Sequence, residues 1–103
     1  MKKITVYWKD IPSQVIISIG KKKYKRMLTD RFQSAIDRAA MKSGCSGTDS
    51  YLEEWRRDTQ GLSMQQQFDV QQMLDLEVSL IDELFDDLRL ETLINNGGVS
   101  TKR

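Results

Sequence analysis

A chain of 103 residues with 39% hydrophobic and 30% charged side chains is long enough for one hydrophobic core and too apolar to behave as a disordered polymer. Its net charge of +1 argues against a generally basic nucleic-acid binder, and the absence of histidine beside a single cysteine removes Cys–His nucleophiles and the usual zinc sites. No segment approaches the roughly 20 apolar residues of a membrane span, MKKITVYWKDIP lacks the apolar run of a signal peptide, and a lone Cys45 suits a reducing compartment, so a cytoplasmic protein without a membrane partner is expected.

The chain opens with Ile4-Thr5-Val6-Tyr7-Trp8, in which Ile4, Val6 and Trp8 fall on one side of a strand and Thr5 and Tyr7 on the other. Gln14 to Ile19 is rich in β-branched residues, and the Lys9–Ser13 connection makes the two runs an antiparallel hairpin. Pro12 fixes its own φ and biases Ile11 toward extended geometry, while Asp10 can accept a bond from a nearby backbone N–H. Two readings of this corner stay open: the bend of a hairpin, or a stiff recognition site carrying an aromatic, a cation and a carboxylate.

After Gly20, the stretch KKKYKRML sets Lys21, Lys22, Lys23, Lys25 and Arg26 around Tyr24, as a short third strand or a loop. Such a cluster can bind phosphate, with Tyr24 stacking on a base. The near-neutral total favours the alternative, a solvated face or a docking surface for the chain's own acidic helix.

Thr29 is placed to N-cap a first helix, with Asp30 in its first turn, Phe32, Ala35, Ile36, Ala39 and Ala40 on its inner face, and Gly44 as its stop. Arg31, Asp37, Arg38 and Lys42 are expected to face solvent. Ser43 to Thr48 then reads as a turn rich in small residues, with Thr48 as a second N-cap and Cys45 lacking a histidine base. A short helix is expected from Asp49 to Arg57, with Leu52 and Trp55 inward and Tyr51 beside them, closed by Asp58-Thr59-Gln60-Gly61.

The longest expected element is a helix from about Ser63 to Asn95, with a possible break near Arg89 and a polar start at Met64 to Gln67. Leu74, Val78, Ile81, Phe85 and Leu88 form its apolar stripe, which Val70, Met73, Leu80 and Leu84 widen beyond a strict coiled-coil seam. Gln72, Asp75, Ser79, Asp82, Glu83 and Asp86 lie opposite. The chain is read as a monomer or a homodimer joined through this helix.

Glu77 interrupts the apolar arc, where a carboxylate is costly unless paired. An ion pair with Arg38, Arg56 or Arg57, or a bond from the indole of Trp8 or Trp55, is the favoured reading. A functional acid or a carboxylate metal ligand is the alternative, which makes the chain an accessory subunit or a small enzyme. No metal site or cofactor is otherwise expected.

Charge is unevenly distributed along the chain. Residues 1–28 hold eight basic and one acidic side chain, whereas residues 63–95 hold one basic and eight acidic. Such halves either attract one another across the fold or face different partners, and the first is favoured.

The stretches ITVYWKDIPSQVI, LTDRFQSAIDRAAMKSG and GTDSYLEEWRR resemble the small bacterial "virulence factor" domain family, found alone or within longer conserved virulence factor C-like proteins. The W-[KR]-D-I-P corner and the A-I-D-R-A-A-M run carry the likeness over residues 4–57, with a weaker echo in Leu93 to Gly98; the glutamine-rich stretch from Met64 to Gln72 departs from it. The resemblance implies a bacterial cytoplasmic accessory domain, favours protein contact over catalysis, and supplies no catalytic residues to transfer. It points to Trp8, Lys9, Asp10, Ile11 and Pro12, with Arg31, Asp37 and Arg38, as contact positions for a protein partner.

The expectation is therefore one α+β domain over residues 1–96: an N-terminal hairpin packed on about three helices, the last one long, followed by a flexible tail at 97–103. Its expected role is a non-enzymatic interaction module, with nucleic-acid or phosphate binding through residues 21–26 as the alternative.

Overall fold

The computed structural model describes residues 1–44, 49–61 and 69–99. Four strands, β1 (Lys2–Trp8), β2 (Ile11–Ile19), β3 (Lys22–Met27) and β4 (Trp55–Gly61), form one antiparallel sheet in the order β3-β2-β1-β4. The helices are α1 (Asp30–Lys42), α2 (Asp49–Glu53), α3 (Val70–Leu84) and α4 (Asp87–Asn95). The fold is α+β, with the basic KKKYKRML segment realised as a strand.

The hairpin is tighter than the sequence suggests. Only Lys9 and Asp10 lie between β1 and β2, and Lys9 takes a left-handed φ of 53°. Pro12 stands inside β2, where the register steps from Val6↔Gln14 to Tyr7↔Pro12 and leaves Ser13 as the extra residue of a bulge. A bulge is where a residue without an N–H can sit in a strand. The Ser13 carbonyl is used all the same, accepting from the Leu28 N–H at 3.0 Å.

Period-two alternation gives the sheet two faces. Lys3, Thr5, Tyr7, Val15, Ile17, Tyr24 and Arg26 share one by their register, and Ile4, Val6, Ile16 and Lys25 share the other. Helix α3 packs on β2 and β3 across the first face, with fully buried Leu74 against Val15 and Ile17. Helix α1 buries the expected Phe32, Ala35, Ile36, Ala39 and Ala40 against Trp8, Ile11 and Leu28 and against Leu90, Leu93 and Ile94 of α4.

Three expectations need correction. The helix expected over Asp49–Arg57 ends at Glu53, with Leu52 exposed and not inward, and Trp55 to Gly61 pairs with β1 instead, Trp8 opposite Trp55 and Lys2 opposite Gly61. Because β4 is an edge strand exposed at every residue after Trp55, it has no apolar alternation to announce it. The long helix is two helices, and its break lies at Phe85–Asp86 rather than near Arg89: the Asp86 carboxylate accepts the Arg89 N–H at 2.8 Å and starts a new helix. The packed chain also continues past Asn96, since Gly97 and Gly98 are buried. The Gly98 N–H bonds the Leu93 carbonyl at 2.7 Å, and its own carbonyl accepts the Asp10 N–H at 2.8 Å. Cys45, the Thr48 cap, the Met64–Gln67 start of the long helix and the last four residues lie outside the described residues.

The opposed charges meet within the fold. Lys3 pairs with Glu77, Arg26 with Asp75, Arg31 with both Asp82 and Asp87, and Arg38 with Glu91. Each pair joins a strand or α1 to α3 or α4.

Candidate functional site

The hairpin corner is built as core. Trp8 and Ile11 are fully buried, and so is Pro12. The Trp8 indole N–H donates to the Tyr51 carbonyl at 2.9 Å, and its ring lies 5.6 Å from that of Tyr51. Only Lys9 and Asp10 reach the surface: Lys9 lies over the Trp8 ring at 5.1 Å, and Asp10 pairs with Arg56 at 3.2 Å. Three of the five corner residues therefore have no surface to offer a partner, and the bend reading accounts for them.

The contact residues expected on α1 diverge. Arg31 bonds Asp82 and Asp87 at 2.9 Å, Asp37 accepts from Gln33 at 3.0 Å, and Arg38 pairs with Glu91 at 3.1 Å. These side chains tie α1 to its neighbours or to itself.

The basic cluster also divides. Lys21, Lys22, Lys23 and Lys25 are exposed, but Tyr24 is half-buried with Val15, Ile17 and Leu74, and Arg26 is engaged by Asp75 and Gln71. Alternation along β3 sends Lys23 and Lys25 to the face opposite Tyr24. The aromatic is not presented among the cations, so the stacking geometry of a single-strand binder is missing.

Glu77 is paired, though with none of the partners expected for it. Its carboxylate accepts from Lys3 at 3.1 Å, with both side chains about three-quarters or more buried. Arg38 is taken by Glu91, Arg56 by Asp10, and Arg57 projects from the opposite face of the sheet. Lys3 was hidden from sequence reasoning because the pair joins residues 74 positions apart. A depression lined by Arg38, Met41, Lys42, Ile94 and Asn95 does not include Glu77. Elsewhere, burial raises the Tyr7 pKa, with Asp58 adding to the effect and Arg56, at 4.4 Å over the ring, opposing it.

Asp82 is the better defined carboxylate. A hydrogen bond from Arg31 holds its pKa below the ordinary range, assisted by the Thr29 hydroxyl. A depressed native pKa contributes stability that is present above the unfolded value of about 3.9 and lost as pH falls through the native one. Thermal unfolding of wild type should therefore weaken on acidification below about pH 4 more than that of Asp82→Asn. Parallel acid profiles of the two proteins would remove Asp82 as a contributor.

The unexpected feature is on the outside of α3. Leu76, Leu80 and Leu84 are 61%, 46% and 63% exposed, while Leu74 on the same helix is fully buried. The expectation that Leu80, Leu84 and Leu88 belong to the core is overturned, Leu88 being 77% exposed in the first turn of α4. The physical reason is the width of the stripe. Leu74, with half-buried Val70, Met73, Val78 and Ile81, faces the sheet, flanked by the Asp75 pair with Arg26 of β3 and the Glu77 pair with Lys3 of β1. At about 100° per residue, Leu76, Leu80 and Leu84 climb from the Glu77 flank onto the outer surface, with half-buried Met73 below them. An apolar stripe wider than one packing seam was the available signal.

Among the described residues no helix is long and apolar enough to cross a membrane. No curated protein and no solved structure compared with the chain matches it. The family model described as "Virulence factor" matches residues 6–94, which takes in the end of β1, all of β2, β3 and β4, α1 to α3 with the exposed row, and α4 up to Ile94. The chain belongs to the virulence factor family.

Proposed function

We propose that this domain is a non-enzymatic protein-interaction module of the bacterial cytoplasm, and that it docks its partner through Leu76, Leu80 and Leu84 of α3. The observation that carries this reading is the exposure of three leucines in one line on a helix whose other apolar face is already buried. A contiguous apolar surface of this kind costs solubility unless a partner covers it. Pairing of Glu77 with Lys3, and of the α1 cations with helix carboxylates, supports a structural role for the charged residues. The single cysteine supports the compartment.

The test is affinity purification from the native cytoplasm, comparing wild type with Leu76→Ser/Leu80→Ser/Leu84→Ser and with Lys23→Ala/Lys25→Ala. Proteins retained by wild type and by the lysine variant should be lost from the leucine variant, whose circular dichroism should match wild type. An unchanged protein set on the leucine variant, or nucleic acid lost only from the lysine variant, would overturn the proposal in favour of the basic strand.

A further inference from the structure

Resting on that reading, we infer that the partner seated on the α3 row is a cationic amphipathic helix. The first argument is charge. From Asp69 to Leu88 the chain carries seven carboxylates and no cation. Asp69, Glu83 and Asp86 form no ion pair among the described residues, and Asp87 keeps a 91% exposed side chain beside Arg31. Glu83 is exposed on the outer margin of the row, on the Leu76 side in angle. An apolar strip with unpaired Glu83 on its margin, on a helix that carries no cation, selects a partner with an apolar face edged by lysine or arginine.

The second argument is shape. Leu76, Leu80 and Leu84 recur at intervals of four, a single i±4n ridge along which another helix can lie. The 15 residues of α3 extend about 22 Å, enough for some four turns of a partner lying alongside.

The same carboxylates weigh against two other occupants. A second copy packed antiparallel on the row through a two-fold axis would set Glu83 on the same side as its own image, where like charges repel. An anionic lipid surface would meet the same repulsion. A basic helix alone gains from both the leucines and their margin.

The experiment uses the whole chain and two labelled synthetic peptides of about 18 residues, one alternating leucine with lysine at helical period and one with glutamate in place of lysine. Fluorescence anisotropy should show the lysine peptide binding at least about tenfold more tightly than the glutamate peptide. Leu80→Ser/Leu84→Ser should weaken the lysine peptide by about tenfold or more, Glu83→Lys should weaken it with the leucines intact, and Leu52→Ser, an exposed leucine on α2, should leave it unchanged. Equal affinity for both peptides, or lysine-peptide binding indifferent to Leu80 and Leu84, would overturn the inference. So would a wild-type dimer in light scattering that Leu80→Ser dissociates, or preferential binding to phosphatidylglycerol vesicles. Native proteins lost from the leucine variant while the two peptides bind alike would sink the cationic helix and leave the interaction module standing.

Discussion

Trp8→Ala is expected to lower the unfolding free energy by about 3–5 kcal/mol, the range for removing a large aromatic from a packed interior. Trp8 is fully buried, stands opposite Trp55 across the β1–β4 ladder and opposite Ile11 across the hairpin, and packs with α1 and α4 in the largest apolar cluster. Its removal leaves a cavity where four elements meet and an orphaned Tyr51 carbonyl. A domain of this size has a total stability of only some 5–15 kcal/mol, so the variant should be partly unfolded at moderate temperature. Trp8→Phe separates the two contributions: the ring volume is largely kept, the indole N–H is lost, and a cost of about 1–3 kcal/mol is expected. Urea denaturation followed by circular dichroism measures both, and a change within about 0.5 kcal/mol for Trp8→Ala would mean that Trp8 behaves as a surface residue after all.

The tryptophan shows what a sequence can and cannot disclose. Its place on the Ile4-Val6-Trp8 face was legible from alternation, and α1 was legible because an apolar period and a terminal glycine agree, although the Thr29 hydroxyl at its start bonds Asp82 and does not cap the helix. Its burial was not legible, because the residues that cover it come from Tyr51 and Gly98, distant in sequence. Strand β4 escaped for a related reason. WRRDTQG has no local preference for a strand, and only the open edge of β1 makes it one. The break was expected a few residues late, near Arg89, because an aspartate within an acidic, uninterrupted apolar pattern looks like helix surface until its carboxylate caps the Arg89 N–H.

For the site, the surplus width of the α3 stripe was visible, but not which half of it the sheet would take. Burial of Leu74, Val78 and Ile81 against the sheet and α1 sets it, with two ion pairs, Arg26 with Asp75 and Lys3 with Glu77, flanking the contact. The leucines left outside are the consequence. The basic and acidic parts of the chain, which on sequence grounds had two possible uses, meet in these pairs.

Gly98→Ala should destabilise the domain by about 2–4 kcal/mol, more than any other single methyl addition argued from its geometry. Gly98 has a φ of +103°, which side chains of L residues rarely adopt. A Cβ there would stand 2.8 Å from Cζ3 of Trp8 and 3.1 Å from Cδ of Lys9. Lys9 has a flexible side chain and can move, but Trp8 is held on every side and by its indole bond. The backbone cannot yield easily either, because Gly98 bonds Leu93 on one side and Asp10 on the other, closing the C-terminal segment over the hairpin turn. Gly20→Ala is the control: its φ is +59° with open space around the added methyl, so only the backbone strain of about 1–2 kcal/mol applies. Equal losses for the two variants would show that the Trp8 contact does not matter. If it does, shrinking the indole in Trp8→Leu should recover part of the Gly98→Ala loss, and a double-mutant cycle should show a coupling of at least about 0.5 kcal/mol. That coupling would place the Leu93–Gly98 segment and the Trp8 corner in one packed unit.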